Sequence, residues 1–320
     1  MESIQIKNVA IIGAGIMGVG IAQNFAQAGL SVNLLDMNQK ILTKTLSQIK
    51  TNLDLFQEYG LLQETRPKIL SRIKTSQIDS LDSVIKGSQY VVEAIPEILE
   101  AKRNLLALIE KSSSTAIIAS NTSSFTIDEL TEGMVHPGRV IGVHYFNPAH
   151  IIPVVEIHRG TKTQETTVAA ARELMLKIGK NPVLVRKTLP GFIVNRLTGA
   201  LEREIDYLLD EGVVTPEELD VAIRGSIGFR MACLGPQETE DMIGLDTAMM
   251  VSKRIYRVLS NATEPSNQLV EKVQKGELGI KSGKGWYDYT GKSSNEVLNE
   301  NNKKLLQQLA MFRQRENTKG

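Results

Sequence analysis

Apolar residues in the first half of the chain fall in short unbroken runs separated by longer amphipathic stretches. "IKNVAII" (6–12), "SVNLLD" (31–36), "YVVEAI" (90–95) and "TAIIAS" (115–120) are β-rich and mostly apolar, as strands covered on both faces of a sheet should be. "RVIGVH", "IIPVVEI" and "NPVLVR" extend the series. Between these runs the apolar positions recur at helical spacing. Ile21, Ala22, Phe25 and Ala26 share one face of a helix that Gly29 can end, and further helices are expected from Leu99 to about Ser112 and through Val168, Ala171, Leu174, Met175 and Ile178. Strands alternating with helices predict an α/β domain over residues 1–186.

Two departures interrupt the alternation. Residues 39–75 carry apolar positions at Ile41, Leu42, Thr45, Ile49, Leu53 and Phe56, which predict a helical insertion, with a second short helix ending near Ile73. After "KTLPGF" the strand runs stop, and residues 187–320 read as an all-helical domain with a polar tail over 291–320. Pro190 fits an early helical position and Gly212 the end of that first helix. Thr215-Pro216-Glu217-Glu218 reads as a capped helix start, and another helix is expected from Asp246 through Met249, Met250, Ile255 and Leu259, its methionines in core or interface. The tail offers one amphipathic helix through Leu305, Leu306, Leu309 and Phe312.

The first apolar run leads into "GAGIMGVG", where Gly13, Gly15 and Gly18 have the spacing of a turn that lets a pyrophosphate approach backbone N–H groups at a helix N-terminus. Asp36 closes the second run, placed to accept the ribose hydroxyls of NAD and to repel the extra phosphate of NADP. FAD is the competing cofactor. The fold class is therefore a Rossmann-type nucleotide-binding domain followed by a helical one. Its cofactor site is expected to comprise Gly13, Gly15, Ile16, Met17, Gly18, Asp36, Glu93, Glu97, Lys102 and Asn121. Glu93 and Glu97 flank a strand end, where they either line the nicotinamide half of a cleft or face solvent.

Charge narrows the classes of partner. With Lys+Arg at 37 and Asp+Glu at 36, no strong field is available to recruit nucleic acid or an anionic membrane. Cys233 is the single cysteine, read as a buried structural thiol, so an intrachain disulfide is excluded and no metal site is expected. No leader and no membrane span are read, and the expected location is cytoplasmic.

Three of the four histidines lie in "GVHYFNPAHIIPVVEIH". His144 ends a predicted strand, Glu156 lies in the following one, and Asn147-Pro148 offers a turn between them. A carboxylate among apolar residues needs a partner, and an imidazole supplies one. On the residues alone, His144 is equally a catalytic base or a structural histidine, and His136, His150 and His158 are read as structural.

Taken together, "GAGIMGVGIAQ", "VVEAIPE", "SNTSS", "GVHYFNP" with "VVEI", "LPGFIVNR", "GLD" and "GKGWYDY" resemble the L-3-hydroxyacyl-CoA dehydrogenase family along nearly the whole chain. That resemblance implies NAD-dependent oxidation of a 3-hydroxyl, with His144 as acid/base, Glu156 orienting it, and Ser123 and Asn195 bonding the reacting oxygen. It also implies a homodimer assembled through the helical domain. One stretch departs from the acyl-CoA pattern: "GFRMACLGPQET" contains Arg230 and is closer to relatives that act on free hydroxycarboxylates such as L-gulonate or L-carnitine. Arg230 is thus a candidate for holding a substrate carboxylate. "HYFNP" is nearer the acyl-CoA version, so the hydroxyacyl-CoA reading leads and the free hydroxy acid is the alternative. A nucleotide-binding protein without catalysis is the alternative of another class.

Overall fold

The computed structural model describes residues 5–318. They form two compact units, one made of the residues up to Ile193 together with those from Lys303 onward, the other of Val194–Asn302.

The first unit is built on an eight-stranded sheet. Its strands are β1 (Asn8–Ile12), β2 (Ser31–Asp36), β3 (Ile73–Gln77), β4 (Tyr90–Glu93), β5 (Ile117–Ser120), β6 (Val140–Tyr145), β7 (Val154–His158) and β8 (Asn181–Val185). Their spatial order is β3-β2-β1-β4-β5-β6-β7-β8. Neighbours are parallel except β6 and β7, which run antiparallel with His144 opposite Glu156 and Gly142 opposite His158.

The unbroken apolar runs follow from burial on both faces. Along β1, Val9 and Ile11 enter the core shared with helix Ile16–Gln27 and helix Glu165–Lys177. Ala10 and Ile12 turn to the opposite core, which Leu105, Leu106 and Ile109 of helix Leu99–Ser112 complete. Successive residues of a strand point to opposite faces, so a doubly covered strand has no polar face to show.

In the stretch before β4 the structure corrects the sequence reading. Helix Gln39–Glu58 and helix Arg66–Leu70 are present, but the chain then forms β3 at the sheet edge where only a helix end was expected. "IKTSQ" buries Ile73 alone, so no apolar run marked it. Its partner β2 supplies the order instead, through the register Val32 to Ile73 and Asp36 to Gln77.

The second unit is helical, with helices Val194–Asp210, Pro216–Gly225, Ile227–Met231, Pro236–Ile243, Leu245–Ile255 and Asn267–Gln274. The capping box at its second helix forms as read, with Glu218 N–H donating to Thr215 Oγ1 at 3.3 Å and Thr215 N–H to Glu218 Oε2 at 3.1 Å. Two expectations fail here. Pro190 is outside the helix: Gly191 and Phe192 take positive φ values of 80° and 50°, and helical structure starts only at Val194. Cys233 is exposed rather than buried, because this unit's helices turn much of their apolar surface outward. Leu209, Leu219 and Val297 are its only buried large apolar residues, whereas Phe229 and Met242 are each 73% exposed.

The last helix, Ser294–Thr318, contributes Leu306 and Leu309 to a small cluster with Leu55, Phe56 and Ile151 in the first unit. No helix of the described residues is long and apolar enough to cross a membrane.

Candidate active site

β1, β4, β5 and β6 are mutually parallel, so their C-terminal ends meet along one edge of the sheet. Open α/β sheets hold their ligands at such an edge.

At the end of β1 the glycines do separate work. Gly13 has φ 106°, and a Cβ there would lie 2.4 Å from the Ala94 carbonyl oxygen. A Cβ on Gly18 would strike the Gly13 carbonyl at 1.8 Å, so helix Ile16–Gln27 approaches the turn closely only because that residue is glycine. Gly15 has no atom within 4 Å of a Cβ position, and as N-cap of that helix it leaves the first N–H groups without a side-chain partner. Open space over unpaired N–H groups is what an anion at a helix start requires. Asp36 lies beside this turn at the end of β2, with Oδ2 accepting from Ala14 N–H and Oδ1 from Asn38 N–H, both at 2.8 Å. Ile16, named from the sequence, and Met37, which was not, are 78% and 81% exposed next to it. These features fit a dinucleotide.

Between β4 and β5 lies a closed ionic cluster. Glu93 and Lys102 are 0% and 1% exposed and pair at 2.6 Å. Ser120 Oγ–H and Ile95 N–H also donate to Glu93, and Lys102 gives further hydrogens to Glu97 at 3.1 Å and to the Ile95 carbonyl at 3.3 Å. Glu93 therefore faces neither of the surroundings considered for it. Glu97 carries the cluster outward, accepting from Thr122 Oγ–H, from Ser124 Oγ–H at 2.8 Å and from the N–H groups of Ser123 and Ser124 at 3.0 and 3.1 Å. Burial pushes the Glu97 carboxyl up, but the Thr122 hydrogen bond and the Lys102 charge outweigh it and hold the group below the usual range. The loop carrying Ser123 is thus tied to an ionised carboxylate. Asn121 closes the gap to β6, its Oδ1 accepting from Tyr145 N–H at 2.9 Å.

At the end of β6 the antiparallel register brings His144 Nδ1 within 2.9 Å of Glu156 Oε2. Directly opposed side chains of an antiparallel pair share a face and are close enough to bond. Ile193 N–H donates to Glu156 Oε1 at 2.9 Å, presented by the positive-φ turn at Gly191-Phe192. Phe146 and Phe192 set their rings edgewise to the imidazole, with centroids 4.6 and 5.7 Å away. His144 is 6% exposed and Glu156 is fully buried. A carboxylate held on Nδ1 selects the tautomer with its proton there and leaves Nε2 with a lone pair for a substrate hydroxyl.

The remaining candidates lie apart from this cluster in the chain. Asn195 is in the first turn of helix Val194–Asp210, and Arg230 is exposed on helix Ile227–Met231, both in the second unit. Reading the sequence missed the clamp on Glu156. Phe192 and Ile193 lie inside "LPGFIVNR", but a backbone N–H leaves no residue-type signal, and positive φ at phenylalanine is unexpected.

Comparison with known proteins agrees with this geometry. Residues 8–188 match the family model for the 3-hydroxyacyl-CoA dehydrogenase NAD-binding domain, and residues 191–289 the model for the C-terminal domain of the same family. The 5-formyl-3-hydroxy-2-methylpyridine 4-carboxylate 5-dehydrogenase of Mesorhizobium japonicum is 34% identical over 302 residues, covering 94% of this chain and 96% of that one. A crystal structure of an NAD+-dependent dismutase with that dehydrogenase activity superposes with TM-score 0.89 at 32% identity, over 97% of this chain and 99% of the other. The (S)-3-hydroxybutyryl-CoA dehydrogenase structure from Ralstonia eutropha gives TM-score 0.72 at 36% identity, over 89% and 100%.

Proposed function

Because the chain belongs to the 3-hydroxyacyl-CoA dehydrogenase family and uses NAD, we propose that it oxidises the 3-hydroxyl of an L-3-hydroxyacyl-CoA to the ketone. Bound NAD supplies the hydride acceptor. The observation that carries the reading is the buried contact of His144 with Glu156 at the edge where the glycine turn and Asp36 lie.

In this proposal His144 Nε2 takes the hydroxyl proton as the C–H bond breaks, and returns it in the reverse direction. Glu156 stabilises the imidazolium that forms; it is itself fixed by Ile193 N–H, so the pair is aligned before substrate arrives. Ser123 and Asn195 bond the reacting oxygen, with Ser123 placed by the Glu97 network. The Gly13–Gly18 turn and Asp36 bind the dinucleotide, with Ile16 and Met17 beside them. Glu93 and Lys102 act through Glu97, and Asn121 through the end of β6.

A second substrate reading is favoured by two observations. One structure matched over 97% of this chain is that of a pyridine carboxylate dehydrogenase, and Arg230 is an exposed guanidinium suited to a free carboxylate. NADH formation should be followed in parallel on L-3-hydroxybutyryl-CoA, free L-3-hydroxybutyrate, L-gulonate, L-carnitine and a pyridine carboxylate aldehyde. Turnover of the CoA ester with little of the free acids is expected; the reverse order transfers the assignment to the carboxylate.

The same proposal places the enzyme in the cytoplasm, in fatty acid metabolism, as a homodimer joined through the helical unit. The outward apolar side chains of that unit, among them Phe229, Met242 and Met250, support the dimer. Sedimentation velocity should give twice the chain mass, and a monomer at micromolar concentration would remove that part of the proposal.

A further inference from the structure

The first unit has a cavity of about 400 Å³ formed by the ends of helix Ile16–Gln27 and helix Glu165–Lys177, the start of β8, and one face of helix Ser294–Thr318. Lys177, Lys180 and Arg313 line it together with the amides of Asn24, Gln63 and Asn181, and among the described residues no carboxylate lines it. We propose that this cavity binds a small organic carboxylate, held between Lys180 and Arg313 with its apolar body against Leu309 and Phe312.

Lys180 is 4% exposed and has no acidic partner among the described residues. Its ammonium donates to the carbonyls of Ala149 at 2.6 Å and Ile152 at 2.7 Å, which uses two of its three hydrogens. Arg313 donates weakly to the Leu61 carbonyl at 3.5 Å and meets no carboxylate among the described residues. Of the three cations around the cavity, Lys180 and Arg313 repel each other, and an anion between them relieves that repulsion while taking a charge-assisted bond from each. Burial first, and repulsion from Arg313 second, push the Lys180 ammonium down to about 7, as expected of a buried cation without a counter-ion. Leu309 and Phe312 make one wall apolar, which favours an organic carboxylate over inorganic phosphate.

The cavity is distinct from the proposed catalytic edge. Its Arg313 wall comes from a helix lying beyond residue 289, where the match to the family's C-terminal domain ends. Its floor, through Lys180, holds the carbonyls of Ala149 and Ile152 in the loop that joins His144's strand to Glu156's.

Isothermal titration of the full chain with sodium benzoate, at neutral pH and with NAD present, tests the site against inorganic phosphate as the second probe. Benzoate binding is expected, weakened about tenfold or more by Arg313→Gln and unchanged by His144→Gln and by Arg230→Ala. Arg313 is exposed enough for its variant to fold, and an unchanged thermal midpoint checks that it has. Absence of benzoate binding to the wild type, or equal binding to Arg313→Gln, overturns the proposal. Loss in Arg230→Ala with retention in Arg313→Gln overturns it too, since the carboxylate would then occupy the substrate site. Phosphate binding tighter than benzoate overturns the choice of an organic carboxylate.

Discussion

His144 and Glu156 carry the account at the scale of single residues. Replacing His144 with Gln keeps the volume and removes the proposed base, so kcat should fall by about 10²–10⁴-fold while the Kd for NAD stays within error. A rate loss under about threefold would reject the acid/base role. Glu156→Gln keeps a hydrogen-bond acceptor for Nδ1 but not the charge proposed to steady the imidazolium. It should lower kcat by about tenfold or more while the Kd for NAD holds, and an unchanged kcat would mean that Glu156 only packs. The contact between the two side chains was readable in the sequence, because a histidine and a glutamate in an apolar stretch are conspicuous and a turn between them is signalled by Asn147-Pro148. The Ile193 N–H on Glu156 was not readable, since it depends on backbone angles at Gly191 and Phe192.

Among the elements, the antiparallel pair β6/β7 decides the site, because a slip of one residue would send Glu156 to the other face. Gly142 protects that register. A Cβ at this position would come 1.9 Å from His158 Nε2, directly across the pair. Gly142→Ala should therefore cost about 1–3 kcal/mol in denaturant unfolding and disturb the dyad two residues on; a neutral result would show the packing to be looser than drawn. The Glu93–Lys102 pair is the corresponding device at β4. Lys102→Met should destabilise by about 3–5 kcal/mol by stranding a buried carboxylate, while adding Glu93→Leu should recover much of the loss. If the single and double variants are equally unstable, the ion pair is not the reason. Strands buried on both faces announced themselves in the sequence by unbroken apolar runs, whereas β3, with one buried residue, takes its order from β2 and left no such mark.

For the whole molecule, acid should loosen a fold that neutral pH leaves intact. Burial first of all pushes the imidazoles of His150 and His158 from 6.5 down to about 4, so the unfolded chain binds more protons than the folded one in that interval. Stability is then full above about 6.5 and is lost as pH falls toward about 4, and His158→Leu should flatten the decline in urea midpoint. The change from a sheet to helices was legible because strand runs end where helical periodicity begins, whereas the residues from Lys303 onward, read with the helical domain, group with the first unit. The exposure of Cys233 was not, because apolar positions in a helix do not reveal whether they face the same chain or a second copy. The whole account rests on hydride leaving a 3-hydroxyl under the His144–Glu156 pair, and one comparison tests it most directly: the rate of NADH formation from L-3-hydroxybutyryl-CoA by the wild type and by His144→Gln, both saturated with NAD. The account predicts turnover by the wild type and its near abolition in the variant; equal rates, or no NADH from the wild type on this ester, would contradict it.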